Sequence, residues 1–187
     1  MVDGKPRKYE LKKRAEDVAA TRRRITEAAM ELHGTIGPAK TTVSAVAERA
    51  GVQRHTVYRH FPTELDLFAA CSAHYGARHP WPDPTGWDGL ADGLDELYRW
   101  YERTEPMLTN LYRDAELVDA VPVAMRPMQE FFEEARRSLA VGRPRRKTVA
   151  AAIAHAVDFH TWRSLVRDGG LKRGQAVALI SALVEAA

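Results

Sequence analysis

Residues 41–68 read TTVSAVAERAGVQRHTVYRHFPTELDLF, and this stretch leaves the backbone little freedom. Val43, Val46, Ala47 and Ala50 recur at the spacing of a helix with one apolar face. Thr42 stands where an N-cap belongs. Gly51 stands where the chain must turn sharply, since glycine enters the left-handed region without steric cost. A second short helix is expected over about 54–60, and Pro62 ends it. Two short helices joined by a glycine turn make a helix-turn-helix, which fixes how the segments on either side must pack.

The rest of the chain carries the same helical period, and no segment alternates with a period of two. A first helix is expected over about 14–33, with Ile25, Ala28, Ala29 and Leu32 as its apolar stripe. It stops at the breaker Gly34-Thr35-Ile36-Gly37-Pro38. Thr63 offers an N-cap with Asp66 three positions on, an acidic variant of the capping box, for a helix reaching about Ala77. Residues 79–86 hold three prolines and read as a loop. Beyond it, helices are expected over about 87–104, with Leu94, Leu97, Tyr98 and Tyr101 on one face, and over about 106–114. Another runs from near Pro122 to near Val141, where Pro127 predicts a kink or a restart. A long helix over about 145–168 ends at Gly169-Gly170, and a last one spans about 172–186 with Ala176, Leu179, Ile180 and Leu183 at core spacing. The chain is therefore expected to be all-α. Its N-terminal three-helix helix-turn-helix domain is followed by a C-terminal helical bundle. The boundaries read as a basic, flexible arm over 1–14, a head over 15–62 and a body over 63–187.

Charge is distributed along these boundaries. Residues 1–62 hold 13 Lys/Arg against 7 Asp/Glu, a balance of +6, while residues 63–187 hold 15 against 18, a balance of −3. A basic front on a mildly acidic body points to a polyanionic partner. No apolar run approaches the ~20 residues of a membrane helix. The charged N-terminus does not read as a secretory signal, and the lone Cys71 excludes an intrachain disulfide. A cytoplasmic protein without membrane contact is expected.

A helix-turn-helix places its second helix in the major groove of double-stranded DNA. The residues that would reach base edges are Gln53, Arg54, His55 and Thr56. Gln pairs bidentately with adenine and Arg with guanine. Arg59, a turn later, is a base or phosphate candidate. Thr42, Tyr58 and His60 suit phosphates, which position a protein without reading sequence. Lys40 and the triplet Arg22-Arg23-Arg24 add cationic charge nearby.

The segment 22–68 resembles the tetracycline-repressor (TetR) family of bacterial transcription regulators, and residues 159–166 with Gly169-Gly170-Leu171 resemble the penultimate-helix ending of many actinobacterial members. The resemblance rests on Arg22–Arg24, Gly34 with Gly37, Thr41-Thr42-Val43, Ala47 with Ala50-Gly51-Val52, and Tyr58 with Phe61, all in register. It departs at Gln53, where a Ser usually caps the recognition helix. It departs again at Glu64, where a Lys commonly touches a phosphate. The resemblance implies a dimeric regulator, a repressor released from a palindromic operator by a small-molecule effector. It also implies a homodimer formed through the last two helices.

The body is rich in rings and thioethers. Trp100, Tyr101, Met107, Tyr112, Met128, Phe132, His155, Phe159 and Trp162 are candidate pocket residues for a largely apolar or aromatic effector. No catalytic residue, cofactor or metal site is expected. His155 and Asp158 stand three apart, but a metal needs further ligands at compatible geometry. No nucleophile motif, phosphate loop or cysteine cluster occurs. Two alternatives stand beside the repressor. One is a helical small-molecule enzyme or carrier with secondary DNA binding, and the other is an effector-independent DNA binder.

Overall fold

The computed structural model describes residues 5–187, with side chains from Tyr9 onward. Among these residues every regular element is helical. The elements are α1 (Lys5–Thr35), α2 (Val43–Ala50), α3 (Arg54–His60), α4 (Glu64–Arg78), α5 (Leu90–Asp114), α6 (Ala120–Leu139), α7 (Lys147–Ala156), α8 (Phe159–Arg163) and α9 (Arg173–Glu185). Short 3-10 turns occupy Pro38–Lys40 and Pro84–Gly86, and a π-helical turn spans Ser164–Asp168.

The chain divides into two compact units. One comprises the chain through Arg78 together with Pro106–Ala124, and the other His79–Glu105 together with Met125–Ala187. This division does not follow the expected head and body boundary at residue 62, because α4, the end of α5 and the start of α6 join the first unit. The first unit is organised on the apolar faces read from the sequence. Ile25, Ala28 and Ala29 of α1 pack with Val46, Ala47 and Ala50 of α2, Val57 of α3, Phe61, and Leu67 and Cys71 of α4. Alanines at the α1 and α2 contact positions let the two helices approach closely. The capping signals are realised as written. The Thr42 hydroxyl accepts from the Ala45 N–H at 3.1 Å. Thr63 and Asp66 form the reciprocal box, with Thr63 N–H donating to Asp66 and Asp66 N–H donating to Thr63.

Four expectations are corrected. Helix α1 begins at Lys5, so residues 5–14 are helical in place of the flexible arm, and residues 1–4 of that arm lie outside the described residues. Helix α5 runs through Pro106 without interruption. The buried series Leu94, Leu97, Tyr98, Tyr101, Thr104 and Leu108 keeps helical phase across the proline, and that burial offsets the one hydrogen bond the ring removes. The long helix expected over 145–168 is broken instead at Val157-Asp158. The Asp158 carboxylate accepts from the N–H groups of His160 and Thr161 and so starts a new helix. In α9 the buried positions are Ala176, Val177, Ile180 and Val184, while Leu179 and Leu183 are 43% and 54% exposed.

In the second unit, rings from α5, α6 and α8 form the interior. Tyr101 contacts Phe132, Phe159 and Trp162 at centroid distances of 6.2, 5.4 and 5.6 Å. The break after α7 is held by two tyrosines of α5, whose hydroxyls donate to the Ala156 and Val157 carbonyls. At the surface Arg173 bridges Asp95 and Glu102 of α5, and Arg167 pairs with Glu105.

Near the end of α1, His33 is 4% exposed and stacks on Phe68 of α4 at 4.5 Å. Burial pushes its imidazole down from 6.5 to about 4, partly opposed by the negative charge of Asp114. The folded unit therefore holds His33 neutral, while the unfolded chain protonates it below pH 6.5. Stability is expected to be complete above that pH and to fall by up to about 3 kcal/mol as pH drops toward 4. Urea unfolding across this range should show the slope, and His33→Phe should remove it.

Candidate nucleic-acid interface

The α2–α3 turn depends on Gly51, whose φ of 64° and ψ of 42° lie in the left-handed region. Its N–H returns to the carbonyls of Ala47 and Glu48, and the Val52 N–H reaches Ala47 at 2.9 Å, closing the end of α2. Gln53 then starts α3 with its backbone carbonyl, which accepts from Thr56 N–H, while its side chain makes no capping bond. The departure from a capping serine thus leaves the Gln53 amide clear of the helix end. Val57 and Phe61 are buried, which fixes the rotation of α3 about its axis. Gln53, Arg54, His55, Tyr58 and Arg59 consequently share the exposed side, with Tyr58 48% exposed. Thr56 is half-buried, and its hydroxyl lies 3.4 Å from His55 Nε2.

Thr42 is exposed at the start of α2. Its oxygen is used as the cap acceptor, and its hydroxyl proton remains to donate to an anion. His60 is placed differently from the other candidates. Its Nε2 is enclosed by protein without a hydrogen-bond partner. Burial, then the charges of Arg59 and Arg22, holds the imidazole below its usual value. A neutral, half-buried ring is a poor phosphate contact. Arg22 is also reassigned. Its guanidinium donates to the His60 carbonyl and lies 4.1 Å over the Phe61 ring, so it ties the end of α3 to α1. Arg23, Arg24 and Lys40 remain exposed.

The connection between α1 and α2 is held by residues far away in the chain. Gly37 has φ 91°, and a Cβ there would collide with the Arg113 guanidinium and the Asp114 carboxylate. Asp114 is 1% exposed and accepts from Arg113 Nε, from Arg113 Nη2 and from the Ala39 N–H at 3.0 Å. These donors hold its carboxyl below the ordinary carboxylate range, the Arg113 hydrogen bond being the largest cause. Arg113 also donates to the Ile36 carbonyl, and Asn110 donates to the His33 carbonyl. No local pattern marks Asn110, Arg113 or Asp114, because their partners are 75 to 77 positions away.

The candidate pocket residues do not form a single group. Trp100, Tyr101, Met128, Phe132, His155, Phe159 and Trp162 belong to the second unit, and Met107 and Tyr112 to the first. Trp100, Tyr101, Phe159 and Trp162 are 2% exposed or less. His155 is exposed, with Nδ1 3.0 Å from the Thr161 hydroxyl. The Met107 methyl would lie 3.5 Å from a Cβ built at Gly34. The Trp162 indole N–H is buried without a hydrogen-bond partner. Cys71 is buried too, its thiol pushed up to about 12, which marks it as packing rather than a reactive group. No helix among the described residues is long and apolar enough to cross a membrane.

Comparison with known proteins identifies the head. Residues 25–71 match the sequence model of the bacterial regulatory proteins of the tetR family. The chain is 36% identical over 69 residues to the HTH-type transcriptional regulator SrpR of Pseudomonas putida, a match covering 37% of this chain and 32% of SrpR. The uncharacterized HTH-type transcriptional regulator TtgW, also of Pseudomonas putida, matches at the same identity and length over 50% of its own chain. The matches thus span 32% and 50% of the length of these curated relatives. Among solved structures, the multidrug binding protein EbrR complexed with imidazole is similar over 87% of this chain and 93% of its own, at 27% identity and a TM-score of 0.56.

Replacing Gly37 with Ala forces a side chain against Arg113 and Asp114 at a backbone angle that disfavours it. Urea denaturation should show a loss of at least about 2 kcal/mol. Gly51→Ala, where nothing lies within 4 Å of the added Cβ, should cost only the backbone strain of about 1 kcal/mol.

Proposed function

We propose that the chain is a dimeric DNA-binding regulator of the tetR kind that represses from a palindromic operator, a reading supported by the match of residues 25–71 to the family's sequence model. The observation that carries this reading is the exposed side of α3, where Gln53, Arg54, His55, Tyr58 and Arg59 stand together while Val57 and Phe61 are buried. In this reading Gln53 and Arg54 read base edges. His55 and Thr56 lie beside them, Arg59 takes a base or a phosphate, and Thr42 and Tyr58 hold phosphates. His60 contributes through its carbonyl, which Arg22 fixes, rather than through its ring. The basic residues between Lys5 and Arg14 offset the repulsion between Glu64 and the DNA backbone.

The outward faces of the second unit support dimerisation. Ala150, Ala151 and His155 are exposed on α7, and Leu179, Ala182 and Leu183 on α9. Small and apolar residues at that spacing suit close pairing with a second copy. A two-fold dimer presents two α3 helices about one helical turn of DNA apart, ~34 Å, which makes the operator palindromic.

A small-molecule effector of apolar or aromatic character is the proposed release signal. The description of EbrR as a multidrug binding protein supports this. So do the aromatic interior around Tyr101 and the unpartnered Trp162 N–H, which suits an effector bearing an acceptor. Release requires that the effector bind one state of the regulator more tightly than the other.

Selection of bound sequences from a random duplex pool should return a palindrome. Tyr58→Ala should then weaken operator binding by about 1–2 kcal/mol, and retention of full affinity would refute the docking. Removing residues 1–14 should weaken binding and make its logarithmic salt dependence shallower. Leu179→Glu with Leu183→Glu should give monomers in sedimentation equilibrium, and an intact dimer would place the interface elsewhere.

A further inference from the structure

A half-open cavity of about 290 Å³ lies in the first unit, where the end of α1, the start of α2, α3 and the start of α4 converge. Val43, Val46, Val57, Phe61, Leu67 and Phe68 supply apolar walls. Thr41, Thr42, Tyr58, Thr63, His33 and Glu64 supply the polar part of the lining. His33 also lines the cavity, is 4% exposed, and receives no hydrogen bond on its ring among the described residues. Glu64 lines it as well, is exposed, and has no ion-pair partner among the described residues. A pocket with apolar walls that also holds a buried neutral imidazole and a carboxylate is complementary to a flat apolar body carrying a positive charge.

We propose that this cavity binds a compact aromatic monocation, its ring between the apolar walls, a polar ring substituent on the His33 imidazole, and its ammonium against the Glu64 carboxylate. Burial keeps His33 neutral above about pH 4, so its ring can accept a hydrogen bond from a phenolic hydroxyl without adding a repelling charge. The size fits a single substituted ring, at the small end of ligand cavities. Glu64 is where the resemblance to the TetR family leads one to expect a lysine, and in this setting the carboxylate has a partner of its own. Thr42 and Tyr58 line the same cavity. A bound cation there would engage the residues assigned above to DNA phosphates, and that consequence rests on the DNA-binding reading.

The test uses the full-length, isotope-labelled protein without DNA, titrated with tyramine and followed by NMR. Saturable shifts at His33, Phe68 and Glu64 are expected at millimolar ligand or below. Phenethylamine, which lacks the ring hydroxyl, and tyrosol, which lacks the charge, should each bind more weakly. Glu64→Gln should weaken tyramine about fivefold and leave tyrosol unchanged. His33→Phe should make tyramine and phenethylamine equivalent. No saturable shift at these residues, or equal binding of tyramine and tyrosol, would overturn the proposal. Competition is read separately on the operator. Affinity that falls with tyramine occupancy supports it, and unchanged affinity at saturation refutes it. Because the titration contains no DNA, a failure of DNA binding itself leaves the cavity result standing.

Discussion

The buried Asp114 carboxylate is the contact on which the first unit depends. A charge removed from water is costly unless donors surround it, and here Arg113 and the Ala39 N–H do so. These donors determine the path of the backbone between α1 and α2. Gly37 must pass so close to Arg113 and Asp114 that no side chain fits, and its positive φ follows from that passage. Pro38 then enters the short turn that ends at Thr41, whose hydroxyl donates back to the Gly37 carbonyl at 2.8 Å. Thr42 emerges extended and caps α2. The orientation of α2, and through the Gly51 turn that of α3, is therefore traceable to one carboxylate at the end of α5.

A second, weaker fastening acts from the other side of the head. Arg22 of α1 holds the last carbonyl of α3 and covers Phe61. Arg49 of α2 pairs with Glu31 of α1, and Glu27 pairs with Arg78 of α4. Exposed pairs of this kind contribute little to stability individually. Their effect is to direct side chains, and they also remove cations from the pool available to a polyanion. Arg49 and Arg78 are neutralised locally, whereas Arg54 and Arg59 make no such pair among the described residues.

The head is readable in the sequence because its signals are local. The Ile25, Ala28, Ala29 stripe, the Val46, Ala47, Ala50 face, the Thr42 cap, the Gly51 turn and the Thr63–Asp66 box each involve residues within a few positions of one another. They are found where the pattern places them. What is not readable is what depends on distant partners. Nothing near Gly37 announces Asp114, and nothing near Asp158 announces that Tyr98 and Tyr101 will take the carbonyls a continuous helix would have used. Pro106 misleads for the opposite reason. A local rule expects a break there, yet the buried residues on either side stay in phase and keep the helix whole. In α9 the apolar spacing is right, but alanines and large aliphatic residues occur on both faces, so the pattern alone does not say which face the core will take.

The same division between local and distant causes bears on the proposed recognition. The proposed reading helix α3 spans Arg54–His60, two turns anchored by Val57 and Phe61 and tied to α1 by Arg22. Such a short helix offers few base contacts, and each good bidentate contact supplies only about 1–3 kcal/mol of discrimination. The ring of His60, one of the expected phosphate residues, is half-buried with its Nε2 enclosed, and in the proposed docking Glu64 would oppose the DNA backbone. A single head built this way would bind weakly and discriminate poorly. Two heads held in register by one dimer turn the second contact into an intramolecular event, with an effective concentration set by the scaffold between them. Affinity for an operator then becomes sensitive to the spacing of the heads, which is the quantity an effector in the body would have to change.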